Sequence, residues 1–133
     1  DLGGMYKPQS NKVMSYLMIK ARNRYVNGAI NNRQAKMAVD WNSNDNVGLV
    51  VGATAPEEIS RVRKQAPGLP FLIPGIGAQG GDLNRSMKDG NTDGIALINV
   101  SRGISFAGDL SEKAIWNAAQ NYVDQMRGIT NES

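Results

Sequence analysis

Three apolar runs interrupt an otherwise mixed chain: Val47-Gly48-Leu49-Val50-Val51, Phe71-Leu72-Ile73 and Ala96-Leu97-Ile98-Asn99-Val100. They are continuous rather than alternating, as parallel strands buried on both faces are. Their starts lie roughly 25 residues apart, the length of one βα unit. The pattern therefore predicts strands over 47–51, 71–73 and 96–100, joined by right-handed crossovers through helices. The fold class is α/β with a parallel sheet.

Helical patterns fill the gaps. Thr54-Ala55-Pro56-Glu57 reads as a capping box with proline in the first turn. Ile59, Val62 and Ala66 follow at helical spacing, and Pro67-Gly68 ends that helix. Asp82 is placed to cap a shorter helix that ends at Asp89-Gly90, and Ser111 to cap a last one. In this last helix Ile115, Ala118, Ala119, Tyr122 and Met126 form one apolar stripe, read as plain core packing. Residues 11–27 also read as helical, with Val13, Leu17, Ala21 and Tyr25 along one face. Residues 33–41 carry Ala35, Ala38, Val39 and Trp41, and Asn27-Gly28 and Asn31-Asn32 break the two helices apart. Met14 and Met18 read as core or as a partner-facing surface. Three strands alone leave two apolar edges unpaired, which calls for more strands on a longer parent chain or for a second copy.

Composition narrows the function classes. The chain has 133 residues, enough for one domain but short of the ~250 of a complete α/β barrel. Hydrophobic content is 41% and charged content 20%, both ordinary for a globular protein. No apolar run approaches the ~20 residues of a membrane span. Asp1-Leu2-Gly3-Gly4 lacks the basic and apolar regions of a signal peptide. The absence of cysteine excludes disulfides and thiolate metal sites and favours a cytoplasmic setting. The absence of histidine removes the commonest general base and zinc ligand, so no metal is expected. A net charge of +3 suits an anionic ligand. The one basic cluster, Lys20, Arg22 and Arg24, reads as a solvated helix face, so neither nucleic acid nor membrane is an expected partner.

Candidate chemistry sits in two loops, because ligands of α/β barrels bind where strands end and helices begin. The first is Pro74-Gly75-Ile76-Gly77-Ala78-Gln79-Gly80-Gly81-Asp82. Its four glycines allow positive φ, so that backbone N–H groups turn toward a ligand such as phosphate. Gln79 adds a neutral amide donor. A turn of small residues without a ligand is the plainer alternative, but the position between a buried strand and a helix favours a ligand. The second loop is Ser101-Arg102-Gly103-Ile104. An arginine there can make bidentate bonds to phosphate, although taken alone it would better suit a surface ion pair with a carboxylate. Since the strands are consecutive, Gln79, the Gly80-Gly81 backbone and Arg102 would face one phosphate.

The segments Gly48–Thr54, Phe71–Asp82 and Asn99–Ile104, in this order, resemble orotidine 5′-monophosphate decarboxylases, in particular the longer bacterial subgroup. The resemblance covers roughly residues 34–127, and the run Gly75–Asp82 is its most specific part. It implies the C-terminal portion of a (β/α)₈ TIM barrel, with the three strands as the sixth, seventh and eighth. The domain reading is then one partial-barrel domain over 1–133, with 1–33 an unassigned helical segment and 34–133 barrel βα units. The resemblance gives Gln79 and Arg102 the nucleotide phosphate, adds the Ser101 backbone N–H, and lays Pro74 against the pyrimidine. It implies a cofactor-free loss of CO₂ that turns orotidine 5′-monophosphate into UMP, in pyrimidine biosynthesis, through a carbanion-like centre protonated by a lysine. The family's Asp-x-Lys-x-x-Asp motif occurs nowhere in this chain, so no catalytic residue is assigned. Lys36 and Lys64 fall on outer helices. The expectation is a C-terminal phosphate-binding part, inactive alone, that binds OMP or UMP and forms a homo-oligomer. The alternatives are a non-catalytic, self-assembling phosphate-binding half-barrel, or another barrel enzyme of phosphorylated substrates such as a sugar-phosphate decarboxylase or an indole-forming synthase.

Overall fold

The computed structural model describes residues 15–19 and 27–131, with side chains from residue 32 onward. The elements run β1 (Ser15–Ile19), α1 (Asn27–Trp41), β2 (Val47–Val51), α2 (Pro56–Gln65), β3 (Phe71–Pro74), α3 (Leu83–Asn91), β4 (Ala96–Asn99), α4 (Arg102–Ser105) and α5 (Glu112–Asn131). The four strands form one parallel sheet in the order β1-β2-β3-β4. Parallel neighbours in sequence order need right-handed crossovers, which put the helices on one side of the sheet. Among the described residues the sheet stays open, with β1 and β4 as its edges.

Side chains alternate across β2, β3 and β4, and burial broadly follows that alternation. Val47, Leu49 and Val51 of β2 and Phe71 and Ile73 of β3 are almost wholly enclosed and pack with Ala35, Ala38, Ile59, Val62 and Ala66 of the helical layer. Ala96 and Ile98 of β4 join the same core less completely. The other face carries Val50, Leu72 and Leu97, which the strand register places in one row. Leu97 is 50% exposed. The core thus lies between sheet and helices, while the inner face of the curved sheet meets solvent.

Three expectations need correction. Residues 15–19 form a strand paired with β2 from Ser15↔Val47 to Ile19↔Val51, so the sheet has a fourth strand where a helix over 11–27 is expected. The rest of that helix, with the Lys20, Arg22 and Arg24 cluster, lies outside the described residues. A five-residue apolar run fits either periodicity, and the open edge of β2 decides the matter. Second, α1 begins at Asn27 and runs through Asn31-Asn32 instead of breaking there. Weak helix formers cost only tenths of a kcal/mol each, roughly, and the packing of Ala35 and Ala38 outweighs them. Third, the capping box at Thr54 does not form: Ala55 is the N-cap of α2 and no side chain bonds there. Pro56 starts the helix, and Glu57 and Glu58 in its first turn suit the helix dipole.

The other helix ends follow the sequence. The Asp82 carboxylate accepts from the Arg85 N–H at 2.9 Å and caps α3, which ends at Asn91, just past Asp89-Gly90. The Ser111 hydroxyl accepts from the Ala114 N–H at 3.2 Å and caps α5. The α5 stripe is half-buried rather than core: Ile115, Ala118, Ala119, Tyr122 and Met126 all keep partial exposure, and no residue of α5 is buried. Among the described residues no helix is long and apolar enough to cross a membrane.

Candidate functional site

Both candidate loops leave the sheet at the same end, one after β3 and one after β4. Pairing of Ile73 with Ile98 and of Pro74 with Asn99 brings the strand ends level. The Ala53 N–H donates to the Pro74 carbonyl at 2.8 Å, anchoring the glycine loop to the end of β2. The loop then folds back on itself. The Gly80 N–H donates to Gly77 O at 2.8 Å and the Gly81 N–H to Gly75 O at 2.9 Å. Gly75, Gly77 and Gly80 have φ of 105°, 80° and 75°, a region that penalises any side chain. Gly81 is glycine for a different reason: a Cβ there would lie 2.5 Å from the Gly75 carbonyl oxygen and 2.6 Å from the Ala53 methyl.

After β4 the chain turns directly into the short helix α4, whose first residue is Arg102. The Ser105 N–H donates to Ser101 O at 2.8 Å, closing this turn. The Ser101 hydroxyl donates to Asn99 Oδ1 at 3.1 Å, which leaves the Asn99 amide protons as the side chain's donors.

Pro74, Gln79, Asn99, Ser101 and Arg102 line one cavity of about 50 Å³. Drug-sized ligand pockets hold roughly 300–1,000 Å³. This one suits a single small group, such as the head of a larger ligand lying along the open sheet. Four of the five expected site residues therefore meet at one place. The fifth, Gly80, does not line the cavity, and its N–H is committed to Gly77. The loop's glycines set its shape, and Gln79, Asn99, Ser101 and Arg102 are the polar residues around the cavity. The Gln79 side-chain Oε1 lies over Gly75, 3.2 Å from where a Cβ would be. Arg102 is exposed, and none of the ion pairs among the described residues includes it. Its guanidinium is thus not occupied by a carboxylate and is available to an anion such as phosphate.

Asn99 is a lining residue that the motifs alone do not single out. The signal for it was present in the alternation along β4, since it shares the inner face with Leu97. Lys36 and Lys64 are exposed on α1 and α2, on the helical side. Among the described residues no group of three His, Cys, Asp or Glu side chains could hold a metal.

The family described as Orotidine 5'-phosphate decarboxylase / HUMPS matches residues 12–115. The match begins upstream of the resemblance at 34–127 and takes in β1. The Orotidine 5'-phosphate decarboxylase of Haloarcula marismortui is 45% identical over 107 residues, covering 75% of this chain and 39% of that protein. The Orotidine 5'-phosphate decarboxylase of Halorubrum lacusprofundi is 53% identical over 87 residues, covering 61% of this chain and 32% of that protein. The solved structure of Leishmania donovani OMP decarboxylase superposes with a TM-score of 0.61 at 41% identity, covering 83% of this chain and 40% of that one. The chain therefore spans about a third to two fifths of the length of these relatives, and its open sheet corresponds to part of their TIM barrel.

Proposed function

This chain belongs to the orotidine 5′-phosphate decarboxylase family, and from that premise we propose that it forms the phosphate-gripping part of the enzyme's substrate site. The observation that carries the proposal is the convergence of Gln79, Ser101 and Arg102 on one small cavity at the strand ends. Its ligand is a nucleoside monophosphate, orotidine 5′-monophosphate or UMP, held by its phosphate. Arg102 supplies the charge and the planar fork, Gln79 a neutral donor, the Ser101 backbone N–H a further donor, and Pro74 an apolar surface for the pyrimidine. In a complete barrel this grip lies away from the reacting carbon. Remote binding energy of this kind serves loop closure and transition-state stabilisation. The complete protein's reaction, loss of CO₂ to give UMP in pyrimidine biosynthesis, takes its proton donor from outside this chain, which has no Asp-x-Lys-x-x-Asp. The cysteine-free sequence fits a cytoplasmic setting.

Calorimetry with UMP tests the proposal. Losing a charged hydrogen-bond partner costs ~1.5–3 kcal/mol, so Arg102→Ala weakens UMP binding about tenfold to a hundredfold. Gln79→Ala removes a neutral donor and costs less, ~0.5–1.5 kcal/mol. Equal UMP affinity in wild type and Arg102→Ala removes the site. Tighter binding of a sugar phosphate than of UMP favours instead a barrel enzyme of another phosphorylated substrate.

A further inference from the structure

Two glycines on different loops make room for the same atom. A Cβ built on Gly77, in the loop after β3, would lie 2.6 Å from the Tyr122 hydroxyl oxygen. A Cβ on Gly103, in α4 after β4, would lie 2.7 Å from that oxygen. Both values are below 3.0 Å, which real Cβ atoms essentially never show, so a methyl at either position would force the phenol tip or its loop to shift. The Val100 side chain borders the same seam, 3.6 Å from the Gly77 position and 3.2 Å from the Gly103 position.

The two glycines differ in what else could explain them. Gly77 has φ of 80° and would be favoured by its backbone alone. Gly103 is not among the positive-φ residues and sits inside a helical turn. There alanine would ordinarily be preferred by roughly 0.5–1 kcal/mol. Its neighbour across the seam is the structural reason for a glycine at 103. Gln79 follows Gly77 by two residues, and Arg102 immediately precedes Gly103. The tyrosine therefore stands behind both side chains of the candidate phosphate grip, at the point where their loops approach each other.

We propose that Tyr122 is a positioning residue: its hydroxyl, wedged between Gly77 and Gly103, sets the spacing of the two loops and hence of Gln79 and Arg102. For its effect on ligand this rests on the phosphate-binding proposal above. The wedge itself is a matter of packing and can be read without ligand. It links α5, the last helix of the described chain, to a site that it does not line.

The experiment is a double-mutant cycle of Gly103→Ala and Tyr122→Phe, read by hydrogen exchange of the 75–81 loop and by UMP calorimetry. Gly103→Ala forces a methyl against the phenol oxygen. The expected result is faster exchange at 75–81, on the other loop, and UMP affinity reduced roughly tenfold, the scale of an overpacking clash. Tyr122→Phe alone removes the spacer and also speeds exchange at 75–81, whereas in the double variant the methyl introduced at position 103 takes up the vacated space and both readouts return toward wild type. An ordinary helix position would behave oppositely: alanine would stabilise α4 and leave 75–81 unchanged. That outcome, or a disturbance in the double variant equal to that of Gly103→Ala alone, overturns the proposal. Coupled exchange without UMP binding in the wild type overturns the ligand assignment and leaves the wedge standing. UMP binding without coupled exchange does the reverse.

Discussion

Arg63 is buried to 3% exposure at the opposite end of the sheet from the candidate site. Its guanidinium donates to the carbonyls of Leu69 at 2.6 Å, Gly90 at 2.5 Å, Ala66 at 3.3 Å and Ile95 at 3.4 Å. Its Cζ lies 3.5 Å from the centroid of the Phe71 ring. Burial pushes its pKa down to about 10, with Asp93 opposing the shift, so the group remains a cation at neutral pH. One side chain thus ties the end of α2, the entry to β3, the end of α3 and the entry to β4. Lysine cannot reproduce that fork. Arg63→Lys is expected to lower stability in urea unfolding by about 2 kcal/mol or more, since several buried carbonyls lose their donor. A loss under about 0.5 kcal/mol, the range of ordinary surface changes, would show that the fork is not a tie. None of this was visible in the sequence, where Arg63 is simply one of the charged positions of a helix. The site residues were more legible. Gln79 and Arg102 stand out by residue type at strand ends, whereas Asn99 needs the register with Pro74 and Tyr122 needs the packing of a helix that begins ten residues earlier.

At the scale of elements, the legible parts are those with local punctuation. β2, β3 and β4 are short apolar runs between turn residues, and α2, α3 and α5 start at Pro56, after Asp82 and after Ser111. β1 was illegible because five residues carry no period of their own, and its identity as a strand comes from pairing with β2. A local device recurs at the entry of two strands. The Val47 N–H donates to Asn42 Oδ1 at 2.8 Å, and the Ala96 N–H donates to Asn91 Oδ1 at 3.0 Å. In both cases an asparagine at the end of a helix satisfies the first donor of the next strand five residues on, so the turn has a fixed length. The cap of α3 offers a test at this scale. Asp82 both ends the glycine loop and accepts from Arg85, so Asp82→Ala removes a bond at the junction of site and helix. The expected cost is about 1 kcal/mol in thermal or urea unfolding. Hydrogen exchange of the first turn of α3 should rise with it. Unchanged exchange there would mean that the glycine loop alone fixes where α3 begins.

Among the described residues the molecule is an open sheet whose helical side is sealed more completely than its inner side. Among the described residues β1 and β4 each have a neighbour on one side only, which leaves two rows of backbone donors and acceptors. The inner face adds Leu97, 50% exposed, and next to β4 Ile95 is 64% exposed. The chemistry is incomplete in the same sense: this chain supplies the residues of the proposed phosphate grip, while Lys36 and Lys64 lie exposed on the helical layer. Purified chain is therefore expected to show no turnover of orotidine 5′-monophosphate above background. Turnover that Arg102→Ala abolishes would contradict this and reveal a proton donor of another kind. Assembly is the sharper consequence. Exposed parallel edges and an apolar face favour pairing with a further sheet, so the chain is expected to self-associate in dilute solution, giving a scattering mass at least twice that of one chain. Leu97→Glu separates inner-face contact from aggregation of unfolded protein. The side chain is already half in solvent, so the charge is tolerated by the monomer but opposes burial of that face. Association that falls on this substitution, with helical circular dichroism unchanged, places the contact on the inner sheet. A monodisperse monomer of wild-type chain would overturn the expectation outright.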